Sequence, residues 1–297
     1  MLQRVLIAAR WLFAPVAVVF LVVAGYGSRT AFQQTLTHAR LAPLFITIVL
    51  CALLHLITPV FSWLVLRKTG AKLPYGVVLG IHVRRLPARY LPGGIWQTVS
   101  RMADLHDIGI SRSQLSVLIL MENLIPLAVA LIAGALFLFF AGDERLPIFG
   151  AMLTGTLLLV CIPLVLRNRL LLQNSGFALS HYLATLAVIA GFWMIAATAF
   201  AYYWSAFPAA GTGNSLLRIF GAYLLAWAAG FVVIFAPQGI GVFESVAGML
   251  LQGSLPFGGI ALLAAGYRAA VLAGDLLAYG VFIILRHSHT QLTDSNR

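Results

Sequence analysis

Leu-Pro-Gly-Gly-Ile at residues 91–95 breaks an otherwise almost continuously apolar chain, and Ala-Pro-Gln-Gly-Ile breaks it again at residues 236–240. Pro92 and Pro237 are 145 residues apart, and Gly and Ile after them match in register. Inside a lipid bilayer, non-helical backbone persists only where protein or a water-filled cavity satisfies its N–H and C=O groups. Two such breaks in corresponding halves of a membrane chain therefore predict a binding site of the kind found in transporters.

The match between the two segments continues beyond the breaks without a gap. Two more identities follow in the same register, Ser100 with Ser245 and Leu105 with Leu250. We therefore expect a single transmembrane domain, residues 1–297, built from candidate repeat halves 1–141 and 148–285. Counting membrane crossings favours parallel halves, whereas one further crossing between residues 237 and 268 would make the halves inverted.

The composition is that of an integral membrane protein. Of the 297 residues, 61% are hydrophobic and 9% are charged, whereas about a quarter of a soluble domain is charged. The 19 Lys and Arg outnumber the 8 Asp and Glu and cluster between apolar segments, which is typical of the positive-inside rule and argues against nucleic acid as a partner. Cys51 and Cys161 lie inside apolar segments, so neither a disulfide framework nor a metal site is expected.

The apolar segments predict an all-α, polytopic bundle of about seven to eight spanning helices. The qualifying segments are residues 11–26, 41–66, 113–141, 148–166, 182–204, 217–236 and 259–285. The last of these is either one long tilted helix or two pieces that meet near Gly266. Residues 73–101 and 237–252 are too broken to span simply, so we expect amphipathic or re-entrant elements there.

The basic residues also predict the orientation of the chain. With the N-terminus in the cytoplasm, twelve Lys and Arg fall on inside segments and four on outside segments, which is the asymmetry that the positive-inside rule requires. An uncleaved first helix is favoured over a signal peptide. Seven spans would place the C-terminus outside, but Arg286, directly after the last span, favours the inside.

A basic cluster precedes the first break. On a continuous helix, His82, Arg85 and Arg89 would lie along one face, since they are spaced i, i+3 and i+7. Guanidinium groups suit phosphate because they donate two parallel hydrogen bonds. The alternative is an interfacial helix whose arginines reach lipid headgroups without specific binding; Arg84 fits that alternative better.

The first break itself has features that attract anions. Gly93 and Gly94 allow close approach of the backbone, and a helix that begins after them would present free N–H groups and a positive dipole end. Arg101 follows two turns later. The alternative is a structural kink beside Trp96 at the headgroup level. We therefore predict that a lipid headgroup binds at Arg85, Arg89, Gly93, Gly94 and Arg101.

Ionisable residues inside apolar segments predict a polar path. Glu122 and Asn123 lie about 13 Å into a predicted span, and a carboxylate at that depth is costly unless it is paired. Glu244 follows the second break and is a plausible ion-pair partner of Arg268. The alternative is that such a pair only holds the architecture. The predicted translocation path consists of Glu122, Asn123, Gly239, Gly241, Glu244, Arg268 and Asp275.

Other polar residues receive structural interpretations. His55 lies within a predicted span with no partner at helical spacing, which favours a core histidine. Asp104, His106 and Asp107 are interpreted as solvated residues of a loop. The chain contains no phosphate-binding loop, nucleophilic serine turn or zinc-binding helix motif. We therefore expect no catalytic residue, cofactor or metal, although membrane enzymes that use few residues leave an enzyme open.

At these same residues the chain resembles the transmembrane region of lysylphosphatidylglycerol synthases and the wider flippase-like family. The first signature of the family is matched by residues 91–96, Arg101 and Glu122, and the second by residues 237–244 followed by the pair Tyr267 and Arg268. The resemblance covers nearly the whole chain. Two residues depart from the pattern, because Gln238 replaces a Gly and Phe243 replaces the usual Arg.

The resemblance implies a lipid translocase of the bacterial plasma membrane. Its substrate would be an anionic or headgroup-modified phospholipid, or a polyprenyl-phosphate-linked lipid. Because the chain lacks the aminoacyl-transferase domain of the synthases, lysine transfer is not implied. The alternatives are a membrane-embedded transferase acting on polyprenyl-phosphate lipids and a non-catalytic partner of an envelope-lipid synthesis complex. Expected partners are phosphate-bearing membrane lipids, with a homo-oligomer or a synthesis partner as further candidates.

Overall fold

The computed structural model describes residues 35–91, 95–167, 179–208, 213–233, 239–251 and 255–294. These residues are helices and connecting turns with no strand, which confirms the predicted all-α class. Several predicted features lie outside the described residues, namely the span 11–26 and the break residues Pro92, Gly93, Gly94, Pro237 and Gln238.

In chain order the described helices are α1 (Leu41–Lys68), α2 (Tyr75–Arg84), a 3-10 helix (Leu86–Tyr90), α3 (Trp96–Asp107), α4 (Arg112–Phe140), α5 (Leu146–Arg167), α6 (Leu179–Ser205), α7 (Leu216–Val232), α8 (Val242–Leu250) and α9 (Phe257–Asp294). Five of them, α1, α4, α5, α6 and α9, are long and apolar enough to cross a membrane. Each coincides with a predicted span within a few residues. Helix α9 continues through Gly266, so the two-piece alternative is wrong.

Helix α4 begins at a local signal in the sequence. The Ser111 hydroxyl accepts a hydrogen bond from the Gln114 backbone N–H at 3.3 Å, and the Gln114 side chain accepts one from the Ser111 N–H at 2.9 Å. This reciprocal arrangement is a capping box, which satisfies two of the N–H groups that a helix start leaves unpaired. The same Gln114 side chain donates to the Thr69 carbonyl at 2.8 Å, so the start of α4 lies beside the end of α1.

Helices α2 and α3, with the 3-10 helix between them, form the arms of the first hairpin (residues 75–91 and 95–107). After α1 the chain turns back along it, and the Trp63 indole donates to the Leu73 carbonyl at 2.9 Å. The α-helix ends at Arg84, three residues before Pro87, because proline restricts its predecessor, Leu86, and lacks an N–H. The predicted continuous face through His82, Arg85 and Arg89 is therefore wrong.

Helices α7 and α8 form the arms of the second hairpin (residues 216–233 and 239–250). Gly239 adopts a positive φ of 67°, and its backbone packs so closely on Gly230 that an added Cβ would lie 2.6 Å from the Gly230 Cα. Arg218, near the start of α7, donates to the Leu250 carbonyl at 3.4 Å and to the Ala141 carbonyl at 3.5 Å. The second hairpin therefore starts and ends beside the C-terminal end of α4.

The two hairpins open toward opposite ends of α4. The first starts and ends where α1 ends and α4 begins, whereas the second starts and ends where α4 ends. Helix α7 has 17 residues, which is shorter than the predicted span 217–236. A close contact joins α9 to α1, where a Cβ at Gly274 would lie 2.5 Å from the Cys51 Cβ. This contact brings the middle of α9 to the middle of α1.

Replacement of Gly239 by alanine is expected to lower the free energy of unfolding by about 1–3 kcal/mol, the usual cost of overpacking. The new methyl group would meet the Gly230 backbone, which has no rotamer by which to give way, and φ is unfavourable for alanine. Unfolding by detergent titration measures the effect. Gly191→Ala is the matched control, because a Cβ at Gly191 meets nothing within 4 Å. Equal stability of the two variants would contradict this close packing.

Candidate functional site

Glu244 lies at the start of the second arm of the second hairpin and is fully buried, with 0% of its surface exposed. One carboxylate oxygen accepts a hydrogen bond from Arg268 Nε at 2.6 Å, and the other accepts one from the Gly241 backbone N–H at 2.7 Å. Gly241 has a φ of 84°, a conformation that glycine adopts without strain. The structure thus contains the predicted Glu244–Arg268 ion pair, and Glu244 also caps its own helix.

Phe243 packs among aromatic rings. Its ring meets Phe200 and Tyr223 edge to face, with centroids 6.1 Å away in both cases. The Arg268 guanidinium lies 5.7 Å from the Phe243 ring centroid, which is within the range of cation–π attraction. Phe243 therefore helps to hold Arg268 beside Glu244 without adding a charge.

Arg101 and Glu122 form the corresponding pair at the first hairpin. Arg101 on α3 is 8% exposed and forms an ion pair with Glu122 on α4. The Ser62 hydroxyl on α1 donates to the other oxygen of Glu122 at 2.5 Å. In the first hairpin the cation is on the second arm and the carboxylate is on the next long helix. In the second hairpin, with Glu244 on α8 and Arg268 on α9, the charges are exchanged.

Asp275 on α9 joins the tip of the first hairpin to α1. It is 3% exposed, and its Oδ2 accepts hydrogen bonds from the Tyr90 hydroxyl at 2.6 Å and from Arg89 Nη1 at 3.2 Å. Its Oδ1 accepts one from His55 Nε2 at 2.7 Å. His55 Nδ1 lies 3.2 Å from His82 Nε2. His55 is therefore buried, which confirms the core interpretation, and it belongs to a polar network whose members are distant in sequence.

Arg85 turns away from this network toward the base of the first hairpin. Its Nε donates to Asp104 Oδ2 at 2.8 Å and its Nη2 donates to Asp104 Oδ1 at 2.5 Å. These hydrogen bonds lower the pKa of Asp104 and raise the pKa of Arg85. Asp104, His106 and Asp107 lie on helix α3, so their predicted place on a loop is wrong. His106 and Asp107 are exposed, as expected, whereas Asp104 is half-buried.

A groove of about 510 Å³ runs along the base of the first hairpin beside the end of α9. Its walls are partly apolar and partly charged, and they include Ile81, Arg84, Asp104, Phe282 and Arg286. Arg84 is exposed. The groove thus combines apolar surface with guanidinium and carboxylate groups.

Asp143 lies in the connection between α4 and α5, at the end of α4 that is far from the base of the first hairpin. It forms ion pairs with Arg145 in its own loop and with Arg218 at the start of the second hairpin, the latter at 3.6 Å. Hydrogen bonds from the Arg145 side chain and backbone, with the nearby charge of Arg218, hold the pKa of Asp143 below its ordinary value of 3.8. The ionised carboxylate therefore helps to fix the second hairpin to α4.

Acidification is expected to weaken this end of the bundle. Because the pKa of Asp143 is lower in the folded protein, its ionised form stabilises the fold above about pH 4, and this contribution is lost as the pH falls through the lowered pKa. Thermal unfolding between pH 6 and pH 3 measures it. Asp143→Asn should melt at least about 2 °C lower at pH 6 and show a shallower decline. The exposed neighbour variant Glu144→Gln should keep the wild-type decline, and a wild-type-like profile for Asp143→Asn would contradict the prediction.

Several predicted site residues have partners in the structure that were not expected from the sequence. The three predicted headgroup arginines each bind a carboxylate: Arg85 binds Asp104, Arg89 binds Asp275 and Arg101 binds Glu122. Asn123 Nδ2 donates to the Ile119 carbonyl at 2.6 Å within its own helix. Arg268 and Asp275, both on α9, form ion pairs with different hairpins. Helix α9 therefore connects both hairpins.

The carboxylate partners of Arg85, Arg89 and Arg101 and the pairing of His55 with His82 were not predicted from the sequence. One signal for Arg101–Glu122 was available, because 21 residues separate this pair and 24 separate Glu244 and Arg268. Each pair therefore links the segment after a break to the next long helix. The contacts of His55 and Asp275, which are 220 residues apart, had no such signal in the sequence.

No protein-family model matches this chain, and no curated protein matches it either. The hairpins, the ion pairs and the groove are therefore the features that bear on what the protein does.

Proposed function

We propose that this protein is a lipid translocase that moves, or helps to move, a phosphate-bearing lipid between the two leaflets of a membrane. The observation that carries the proposal is the pair of hairpins that open toward opposite ends of α4, each tied to the next long helix by a buried Arg–carboxylate pair. Many transporters combine broken helices from inverted halves around a site near the bilayer midplane. The opposite openings favour inverted halves over the parallel halves that counting suggested.

The depth of the charged residues supports this proposal. At 1.5 Å per residue, Glu122 lies about 15 Å along α4 from Arg112, and Arg268 lies about 17 Å along α9 from Phe257. Both values are close to half the thickness of the hydrocarbon core, which is about 30 Å. Ionisable residues at such depth commonly mark the path of a polar substrate. In this proposal both hairpins are re-entrant elements.

The distribution of basic residues supports an orientation. The end of α1, the start of α4 and the end of α9 lie at the same end of the bundle, as the contacts of Gln114 with Thr69 and the groove between α2 and Phe282 indicate. This end carries Arg67, Lys68, Lys72, Arg112 and Arg286. We place it in the cytoplasm of a bacterial cell by the positive-inside rule. The first hairpin then opens to the cytoplasm and the second to the outside.

A lipid phosphate would cross by exchange of partners. The arginines of the first hairpin are held in the membrane by carboxylates, and a phosphate offers the same bidentate geometry to a guanidinium. When a phosphate replaces the carboxylate at Arg85, Arg89 or Arg101, the cation stays paired. A proton taken up from water, at the displaced carboxylate or at a base beside it, compensates that carboxylate, so no charge is left alone in hydrocarbon. Arg268, on α9 beside the second hairpin, would then bind the headgroup, after which the carboxylates release the proton and rebind their arginines.

The groove at the base of the first hairpin is the proposed docking place for the lipid. Arg84 supplies a guanidinium there, while Ile81 and Phe282 supply apolar surface for the acyl chain. This assigns Arg84 a role in addition to the interfacial one. Anionic phospholipids and polyprenyl-phosphate lipids share the phosphate that this site would recognise.

The test is lipid exchange in proteoliposomes that contain a fluorescent anionic phospholipid, with dithionite added outside to quench the outer leaflet. The wild-type protein should expose inner-leaflet lipid to quenching. Glu122→Gln, Glu244→Gln and Arg268→Ala should each slow this exchange by about tenfold or more, since each removes a charge-assisted interaction of the path. Melting temperature and gel-filtration profile check that each variant is folded.

Glu144→Gln is the matched control, because Glu144 is an exposed glutamate outside the proposed path. Its exchange rate should equal that of the wild type. Unchanged rates in all three path variants, or a wild-type rate no faster than in protein-free liposomes, would contradict the proposal. A covalently altered lipid whose formation requires a soluble donor would instead identify a transferase.

A further inference from the structure

His55 and His82 form a buried histidine pair that the proposed path does not use. His55 comes from the middle of α1 and His82 from α2, and they are 7% and 4% exposed. The pair stands in series with Asp275, because His55 Nδ1 lies 3.2 Å from His82 Nε2 while His55 Nε2 lies 2.7 Å from Asp275 Oδ1. The last ring nitrogen, His82 Nδ1, is buried and has no hydrogen-bond partner among the described residues.

The contacts of these two rings fix where hydrogens can be. With Asp275 ionised, His55 Nε2 carries a hydrogen and donates it to the carboxylate. One hydrogen lies between the two rings, since a nitrogen pair at 3.2 Å needs a donor and an acceptor. In the neutral pair His82 Nε2 holds that hydrogen, so His82 Nδ1 carries none. This nitrogen is therefore the one position where the pair can accept a proton.

Addition of one proton has a definite outcome along this chain of atoms. A proton from water binds His82 Nδ1, the hydrogen on His82 Nε2 passes to His55 Nδ1, and His55 becomes an imidazolium. His82 is neutral again, in its other tautomer. One proton is taken up and one positive charge is gained, and that charge is on His55, directly against Asp275.

Asp275 also binds the tip of the first hairpin through its other oxygen. Arg89 and Tyr90 donate to Oδ2, so an imidazolium at Oδ1 competes with Arg89 for one negative charge. The charged and titratable groups that face the histidine pair are Arg101 from α3, Arg89 and Tyr90 from the 3-10 helix, and Asp275 from α9. Cys51 faces the network from the same helix as His55. Arg101 is paired with Glu122, whereas Arg89 is paired with Asp275. Arg89 is therefore the cation that a protonated His55 displaces from Asp275.

We propose that His82, His55 and Asp275 form a proton-binding switch that releases Arg89 and the tip of the first hairpin from α9. In the proton-free state Asp275 holds the tip closed. In the protonated state His55 takes over the carboxylate, and Arg89 exchanges it for a lipid phosphate. The inference rests on the proposed function for its purpose, since it supplies the coupling of lipid movement to a proton, but protonation and tip release can be measured without lipid movement.

Hydrogen–deuterium exchange of the full-length protein in lipid nanodiscs tests the switch at about pH 4.5 and about pH 8. The lower value is chosen because burial and the nearby charges of Arg101 and Arg89 lower the pKa of His82. Labelling times are scaled for the intrinsic pH dependence of amide exchange. In the wild type, the peptide that covers residues 85–91 should exchange about tenfold faster at the lower pH, as expected for loss of a charge-assisted contact. A peptide from the start of α7 should show no such difference.

His55→Gln and His82→Gln should both abolish the difference, because an amide can hydrogen-bond at these positions but cannot relay a proton. His106→Gln is the matched control and should keep it, since His106 lies on α3 with its ring against the Ile110 carbonyl at 3.0 Å. An equal exchange rate in the wild type at both pH values overturns the inference even if the glutamine variants do not fold. Persistence of the difference in either folded variant also overturns it.

The two proposals fail separately. If residues 85–91 respond to pH but no variant alters lipid exchange, the proton switch stands and the translocase proposal fails. If lipid exchange depends on Glu122, Glu244 and Arg268 but residues 85–91 do not respond to pH, the translocase proposal stands without this coupling.

Discussion

Substitution of Glu244 by alanine is expected to lower the free energy of unfolding by about 3–5 kcal/mol, which is the usual cost of removing one partner of a buried ion pair. The carboxylate is completely buried, and it both pairs with Arg268 and accepts the Gly241 N–H that begins α8. Its removal leaves a cation and a helix-start N–H without their acceptor in a low-dielectric environment. Unfolding by detergent titration, followed by circular dichroism, measures the loss.

Two further variants separate the ion pair from the loss of side-chain volume. Glu144→Ala, at an exposed glutamate, should change stability by about 0.5 kcal/mol or less. The double variant Glu244→Met with Arg268→Met should recover most of the loss, because it leaves no unpaired charge. If Glu244→Ala is as stable as Glu144→Ala, the buried pair does not hold the second hairpin.

Substitution of Asp275 by alanine is expected to cause a loss of similar size, about 3–5 kcal/mol, and to detach the tip of the first hairpin. Asp275 is the shared acceptor of His55, Arg89 and Tyr90, so three donors from two elements lose their partner at once. Hydrogen exchange over residues 85–91 should be fast at every pH, since no carboxylate is left for which His55 and Arg89 can compete. Detergent unfolding and the exchange experiment provide the two measurements.

The matched control for this substitution is Asp107→Ala, because Asp107 is an exposed aspartate on α3 at the base of the same hairpin. It should retain wild-type stability and the wild-type pH response of the tip. Slow exchange of residues 85–91 in Asp275→Ala would show that other contacts hold the tip, and the role assigned to Asp275 would be wrong.

The long helices could be predicted from the sequence because their signal is local. About 20 apolar residues in a row are enough to identify a spanning helix, and the predicted spans 41–66 and 113–141 agree closely with α1 and α4. The segment 217–236 has the same composition as a span. Helix α7 is instead the first arm of a hairpin, because Gly230 packs closely on Gly239. Hydropathy does not report such a tertiary contact.

The charged pairs were less predictable because most of them join distant parts of the chain. The pairing of Glu244 with Arg268 could be predicted from the sequence, since both residues follow the same break. Asp275 is reached by His55 from 220 residues away and by Arg89 from 186 residues away. Such contacts follow from how the hairpins and long helices pack together. What the sequence does show is that a carboxylate in an apolar chain needs a cation, and the structure supplies one for Glu122, Glu244 and Asp275.

The proposed path requires that the two hairpins open toward opposite faces of the membrane. Labelling of single cysteines tests it most directly, in a protein whose Cys51 and Cys161 are replaced by alanine. Asp107→Cys places a thiol at the base of the first hairpin and Leu216→Cys places one at the start of the second, both at exposed positions. A membrane-impermeant maleimide, applied to sealed vesicles of each orientation, should label the two thiols from opposite sides. Labelling of both thiols from the same side would contradict the inverted arrangement and, with it, the proposed path.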